Sequence, residues 1–424
     1  MNQGRLKIGY IMQANAVDMS VVSGAQQHVK AVIGGLEKRG HRVRVVAIQQ
    51  GQIQWTDDLS EWHSAEFGFS ESRLLRLIES PVRAIQSRLQ LPFFRFFDSY
   101  RFSDACVSVL NGYDILYERD STISYGGLIA ARRLGIPIVI EVNGDLIEEW
   151  EHIGLQFSSA QRKVVHLITR QIYHRASHVI AVGETIRERL VDRWDLDPSH
   201  VSVVTNGADV DLFLKMDEAS SLRERHLIQN RPVAIFVGGF QPWHGVDLIY
   251  EGFRQAACTI PHFTMLFVGD GPLRSRLQEE VDTSGLREQV LFAGRVEHTE
   301  VARLLNAADV AVIYHRGSAA DIVETPLKLF EYMAAGKAII APAVRNMKRI
   351  LTDRVNALLI PPDNPTALAD ALVTLIEDSQ LRESLGQAAR REAIAKHSWA
   401  RAVSELEVIL YARLERSGKN LQSE

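Results

Sequence analysis

Short β-branched runs alternate with longer amphipathic stretches along the whole chain. A strand covered on both faces reads as a continuous apolar run, whereas the helix that crosses back is apolar on one side only, so this alternation predicts parallel sheets sandwiched by helices. In the first half the runs predict strands at 7–12, 43–48, 115–118, 136–142, 178–182 and 201–204. A second set falls at 233–237, 263–268, 290–292, 310–314, 338–341 and 357–360. The polar stretch 215–231 between the sets is expected to be the junction. The predicted organisation is α/β: a Rossmann-like doubly wound domain over 1–214, a second over 215–396, and a C-terminal helix over 397–424. Trp399, Val403, Leu406, Ile409 and Leu410 form an apolar stripe on that helix, so it needs a surface to cover it. Two doubly wound halves in tandem place a ligand cleft at the carboxyl ends of their strands.

One region stands outside the alternation. Between residues 73 and 101, Arg73, Arg76, Arg83, Arg88, Arg95 and Arg101 interleave with Leu74, Leu75, Leu77, Ile78, Leu89, Leu91 and the run LPFFRFF. Such a basic amphipathic segment can lie on an anionic membrane surface or hold a lipid-linked acceptor. It can equally be a helical pair that covers the first sheet, with arginines snorkelling from its edge.

Composition narrows the function classes. A length of 424 residues suits two domains of about 200 better than one core. With 48 basic against 52 acidic residues, no global field points to nucleic acid. The two cysteines, Cys106 and Cys258, fit a reducing compartment and offer no metal-ligand spacing. The N-terminal MNQGRLKIGYIM has no signal-type apolar region, and no later run reaches the roughly 18 apolar residues of a membrane span. A cytoplasmic protein is expected, soluble or peripheral at the inner face of the membrane.

The most informative stretch is VETPLKLFEYMAAGKAIIAP. Thr325 can cap a helix and Pro326 suits its first turn. Lys328 then puts a cation in that turn, where the helix dipole disfavours it by about 0.3–1 kcal/mol and the free N–H groups attract anions. A bound phosphate would reverse that penalty. Glu331 follows one turn along the same face, placed to accept from ribose hydroxyls, or else to pair with Lys328 on a solvated face.

Other loops follow strands in the same way. SGAQQHVK begins a helix after the first strand: Ser23 and Gln26 have capping-box spacing, and Gly24 allows close approach to its backbone. His28, one turn in, either touches a sugar or sits in the core. In VGGFQPWHGV a strand runs into Gly238 and Gly239, then a turn at Pro242 and a helix near Gly245, the layout of a backbone phosphate cradle. There His244 can donate to a phosphate. Asp270, between two glycines, reads as a turn stabiliser. Glu118, Arg119, Glu141, Asn143 and Asp145 supply polar groups after two strands of the first half, and Asp209 and Asp211 read as parts of a turn.

These segments, in order from Lys7 to about Arg413, resemble the retaining family-four glycosyltransferases of GT-B fold. The donor helix carries the resemblance most specifically, in LKLFEYMAAGKAIIAP. It implies transfer of a hexose from a nucleotide-diphosphate sugar to a hydroxyl acceptor, such as a glycan or lipid-linked sugar, in polysaccharide, glycolipid or cell-envelope glycan synthesis. No metal cofactor is implied, since helix ends and basic side chains replace the cation. By this resemblance the donor contacts are Ser23, Gly24, Gly239, Gly294, Arg295, Val296, Leu327 and Glu331, with Lys328, His244 and Asn143 as catalytic candidates. His28, Glu118 and Arg119 fall on the acceptor side. The last helix is expected to cross back to the first domain.

The chain departs from the family at four positions. Val323 stands where a second Glu is usual, eight residues ahead of Glu331, with Glu324 one place off. Gly239 and His244 replace an Arg and a Lys, and Asn143 replaces a His. Asn can bond a sugar hydroxyl but cannot serve as a general base near neutrality. Two alternatives therefore stand beside the enzyme: a nucleotide-sugar-binding scaffold that lost catalytic groups, and a sugar-nucleotide epimerase of similar architecture.

Overall fold

The computed structural model describes residues 4–13, 17–66, 73–88, 96–121, 123–144, 157–213, 231–260, 262–317 and 326–418. They form two compact units, one of Met1–Thr205 with Val403–Glu424 and the other Asn206–Ala402.

The first unit contains strands β1 (Lys7–Met12), β2 (Arg42–Gln49), β3 (Gln52–Thr56), β4 (His63–Ser64), β5 (Ile115–Arg119), β6 (Ile138–Val142), β7 (His178–Ala181) and β8 (Val201–Val203). They lie in the order β4-β3-β2-β1-β5-β6-β7-β8. The sheet is parallel from β2 to β8, while β3 and β4 add an antiparallel edge. That edge was not expected from the sequence. Gln50 and Gly51 both take positive φ, 51° and 78°, and close the two-residue turn that lets β3 fold back on β2. Among the described residues up to Thr205 the helices are α1 (Gly24–Lys38), α2 (Arg73–Arg88), α3 (Phe96–Val109), α4 (Gly126–Leu134), α5 (Ser159–Arg175) and α6 (Glu184–Asp192).

The second unit holds β9 (Val233–Val237), β10 (Thr264–Val268), β11 (Val290–Gly294), β12 (Val310–Val312), β13 (Ala338–Pro342) and β14 (Leu358–Ile360), all parallel, in the order β11-β10-β9-β12-β13-β14. Its helices are α7 (Val246–Ala257), α8 (Arg274–Thr283), α9 (His298–Ala307), α10 (Leu327–Ala334), α11 (Arg345–Lys348), α12 (Pro365–Glu377) and α13 (Ser379–Lys396). Two apolar clusters, one on each face of this sheet, make its core. Strand order reverses between β9 and β12, which opens a crevice outside their carboxyl ends.

The division between units falls at Thr205–Asn206, ahead of the expected junction, whose residues 215–230 lie outside the described set. Phe213 is fully buried in a core cluster of the second unit, and Ala208 bridges to Ser398 there, so this stretch has already joined that fold. The last helix, α14 (Trp399–Arg416), belongs to the first unit from Val403 onward. Val403 packs onto Gly35 of α1, where a Cβ would come within 2.6 Å of its methyl group, and Glu407 bonds both Arg39 and His41, the latter at 2.8 Å. Val403, Leu406 and Leu410 of the stripe are buried.

Candidate functional site

The switch point of the second sheet gathers three basic side chains from three separate loops. The helix α10 starts at Leu327, with Pro326 as its cap residue at φ −74° and ψ 147°, one place later than the sequence suggested; Thr325, like Val323 and Glu324, lies outside the described residues. Lys328 is therefore the second helical residue, among the N–H groups that have no intrahelical acceptor. Its side chain turns inward and is 9% exposed. The ammonium lies 4.5 Å over the Phe236 ring and has no hydrogen-bond partner among the described residues. A Cβ on Gly238, whose φ is 151°, would sit 2.5 Å from Lys328 Nζ, so only glycine leaves room for this cation at the end of β9. The adjacent Val237 N–H donates to the Tyr332 hydroxyl at 2.8 Å, which ties the strand end to α10.

His244 closes a short 3-10 turn, Pro242–His244, with Gly245 at φ 57° leading into α7. Its Nδ1 donates to the Gly239 carbonyl, which leaves Nε2 free of that contact. The His315 ring lies 5.3 Å from it, centroid to centroid. His315 follows β12, is 1% exposed, and neither ring nitrogen has a partner among the described residues. Burial pushes the Lys328 ammonium down to about 7, against the opposing pull of Glu331. Burial and then the charge of Lys328 lower His244 to about 3, while its bond to Gly239 acts the other way. His315 is lowered by burial, by Lys328 and by His244. A buried cation without an anion is costly, so this arrangement is incomplete as it stands.

Glu331 is one turn further on α10, 12% exposed at its side chain, and accepts from His298 Nε2 at 2.8 Å rather than from Lys328. His298 opens α9 and stacks edge-on against Phe213 at 5.5 Å. Gly294, with φ 69°, accepts from the Gly269 N–H at 2.7 Å; Arg295 is exposed and Val296 packs against the core. Asp270 accepts from Gly271 N–H at 2.8 Å, and Asp209 from Asp211 and Leu212 N–H at 3.2 and 3.1 Å, so both act in turns.

In the first unit the expected residues divide. Ser23 caps α1 by accepting from Gln26 N–H at 3.2 Å, but the Gln26 side chain reaches the Met19 carbonyl at 2.7 Å and does not close a capping box. Ser23 and Gly24 are exposed. Glu141 collects His28 Nε2 at 2.8 Å, Asn143 Nδ2 at 2.7 Å, Arg119 at 3.4 Å and the Tyr117 hydroxyl, and Arg119 also donates to Asn143 Oδ1 at 2.7 Å. Burial alone would raise this carboxyl, yet His28, Arg119 and Tyr117 outweigh it and hold Glu141 at about 2. Glu118 does not join them. Neighbouring strand residues face opposite ways, and its carboxylate lies under α4, where a side chain on Gly127 would collide with it. Burial, with Asp120, keeps this group far above the ordinary carboxyl range and so uncharged. Asp145 lies outside the described residues.

Sequence reasoning missed His315 and His298. Each is a single histidine beside an element end with no motif around it, and its partners are remote in sequence.

Residues 22–212 match the family model "Glycosyltransferase Family 4", and residues 218–392 match "Glycosyl transferases group 1". Together the two matches span most of the chain, which belongs to the group 1 and family 4 glycosyltransferases and has the GT-B fold. Its relatives include an uncharacterized glycosyltransferase of Methanocaldococcus jannaschii, 22% identical over 94% of this chain and 97% of that one. Another is the phosphatidyl-myo-inositol mannosyltransferase of Mycobacterium tuberculosis, 27% identical over 63% of this chain and 68% of the other. Among solved structures, Anabaena HepE in complex with UDP aligns with a TM-score of 0.70 at 18% identity, covering 96% of this chain and all of that one (100%).

Proposed function

We propose that the chain is a retaining hexosyltransferase that uses a nucleotide-diphosphate sugar and a hydroxyl acceptor, in polysaccharide, glycolipid or cell-envelope glycan synthesis. The observation that carries this is the buried Lys328 ammonium beside Gly238 at the switch point of the second sheet, without a hydrogen-bond partner among the described residues. A diphosphate there receives Lys328, the first N–H groups of α10 from Leu327 onward and, once that ring is protonated, the Nε2–H of His244. These donors meet the charge that develops on the leaving diphosphate as the glycosidic bond breaks. Glu331 takes the ribose hydroxyls, oriented by His298. Gly239, Gly294, Arg295 and Val296 border the nucleotide, and the family resemblance adds Ser23 and Gly24 as donor contacts.

Two described carboxylates of the first unit support retention. Glu141 is locked by four partners and Glu118 is sealed under α4, so neither is a free nucleophile or base. The departing phosphate oxygen then takes the acceptor proton on the face it leaves, and the acceptor oxygen forms its bond on that same face. Asn143, His28 and Arg119 fix the hydroxyls of sugar or acceptor. The cation is Lys328, and no metal enters.

The acceptor side has its own supporting observation. Leu77, Ile78, Ile85 and Phe96 are exposed at 72%, 48%, 58% and 41%, an apolar surface on α2 and α3 that suits a lipid-linked acceptor at the inner face of the membrane. None of the described helices is long and apolar enough to cross a membrane. Incubation with a panel of UDP-, GDP- and ADP-hexoses, followed by mass spectrometry, tests the enzyme: hydrolysis or transfer supports it. Nucleotide binding without any turnover would make the chain a scaffold, and interconversion of the sugar an epimerase.

A further inference from the structure

We propose that nucleotide binding to the second unit is coupled to proton uptake: the cluster of Lys328, His244 and His315 gains a proton as the diphosphate arrives, so the ligand creates the charge that holds it. This rests on the donor-site assignment above and goes beyond it.

Similar phosphate sites built on arginine are charged before the ligand comes, since a guanidinium does not release its proton. Here the three basic groups described at the diphosphate position, Lys328, His244 and His315, are ones that can. Lys328 Nζ lies against an aromatic face with no hydrogen-bond partner among the described residues, and both nitrogens of His315 are equally bare. The two histidine rings are 5.3 Å apart, and Lys328 acts on both of them. Three positive charges could not share this space without an anion.

Among the described residues the surrounding charges do not relieve it. Glu331 is the carboxylate that acts on Lys328, and its oxygen is already taken by His298. The next basic residue, Arg316, is paired with Asp247. With the site empty, burial brings Lys328 down to about 7 and favours the neutral form of both histidines. A diphosphate brings at least two negative charges to the same spot, which restores the ordinary preference of an amine for its charged form. Ligand-dependent protonation then appears as linkage, with affinity falling as the proton becomes scarce.

The test is calorimetric titration of the full chain with UDP, GDP and ADP at about pH 8, in Tris and in HEPES. A terminal phosphate has its second pKa near about 6, so above pH 7.5 protons taken up go to the protein. The expected result is a binding enthalpy that differs between buffers by about one buffer ionisation per nucleotide, with affinity dropping up to about tenfold per unit from pH 7.5 to 9. Lys328→Met should abolish the buffer dependence of whatever binding survives, and His315→Gln should diminish it. Tight binding with equal enthalpies in both buffers and no pH dependence would overturn the coupling while leaving the donor site in place. No heat with any of the three nucleotides, together with no turnover, would overturn both.

Discussion

Both units place a charged cluster at the carboxyl ends of their strands, but the clusters differ in completeness. In the first, Glu141 is met by His28, Asn143, Arg119 and Tyr117, so its charge is neutralised and its lone pairs are filled within the protein. In the second, Lys328 and His315 have no hydrogen-bond partners among the described residues. The first needs no charged ligand, although its outer polar groups can still meet sugar hydroxyls. A fold that leaves a cation without a hydrogen-bond partner among the described residues, beside a glycine cradle, bears a cost that an anion recovers, so the second cluster calls for a charged ligand where the first does not.

The largest effect expected from breaking the contrast is on stability in the first unit. Glu141→Ala should destabilise the protein by about 3–5 kcal/mol in urea unfolding, because His28 and Arg119 lose their buried counter-charge. The same carboxyl sets an acid limit. Its folded value of about 2 lies below the ordinary 4.5, so its contribution is full above pH 4.5 and is lost as pH falls toward 2. A first unit that unfolds at the same urea concentration with and without Glu141 would remove the contrast.

In the second unit the effect should invert. Lys328→Ala should lower turnover by about 100- to 1,000-fold while thermal stability stays level or rises slightly, since an uncompensated buried cation disappears. Clear destabilisation with intact transfer would make Lys328 a structural residue. Glu331→Ala comes next, weakening free-nucleotide affinity by about 1.5–3 kcal/mol in calorimetry, roughly tenfold to a hundredfold. Unchanged affinity in a folded variant would leave Glu331 as a partner of His298 only.

The smallest effect concerns the segment 73–101. Arg83 is paired with Glu79 and Asp98 at 2.6 and 2.7 Å, and Arg101 with Glu79, so two of the arginines that suggested an anionic membrane are spoken for. The apolar residues carry what attachment remains. Leu77→Ser with Ile85→Ser should therefore reduce sedimentation with phosphatidylglycerol vesicles more than added salt does. A wild-type protein that never sediments would leave α2 and α3 as cover for the first sheet.

The twelve parallel strands were legible because strands covered on both faces, as most of them are, leave continuous β-branched runs, as at Val233–Val237. The edge pair β3 and β4 was not. Its turn, Gln50-Gly51, lacks the usual Asn or Asp before glycine, and β3 is only half apolar, with Ile53 and Trp55 alternating with glutamines. Lys328 was legible because it breaks a rule inside its own helix. His315 breaks none: its meaning comes from His244 and Lys328, which the sheet's topology brings to it. Asn143 likewise read as a replaced catalytic group, and only the fold ties it to Glu141 and Arg119.

The most direct test of the central claim is a crystal structure of the full chain with UDP bound. The account predicts diphosphate oxygens within hydrogen-bond distance of Lys328 Nζ and His244 Nε2, at the first turn of α10, with Glu331 on the ribose. A diphosphate bound elsewhere, with Lys328 Nζ still resting over Phe236 and His315 still bare, would contradict it.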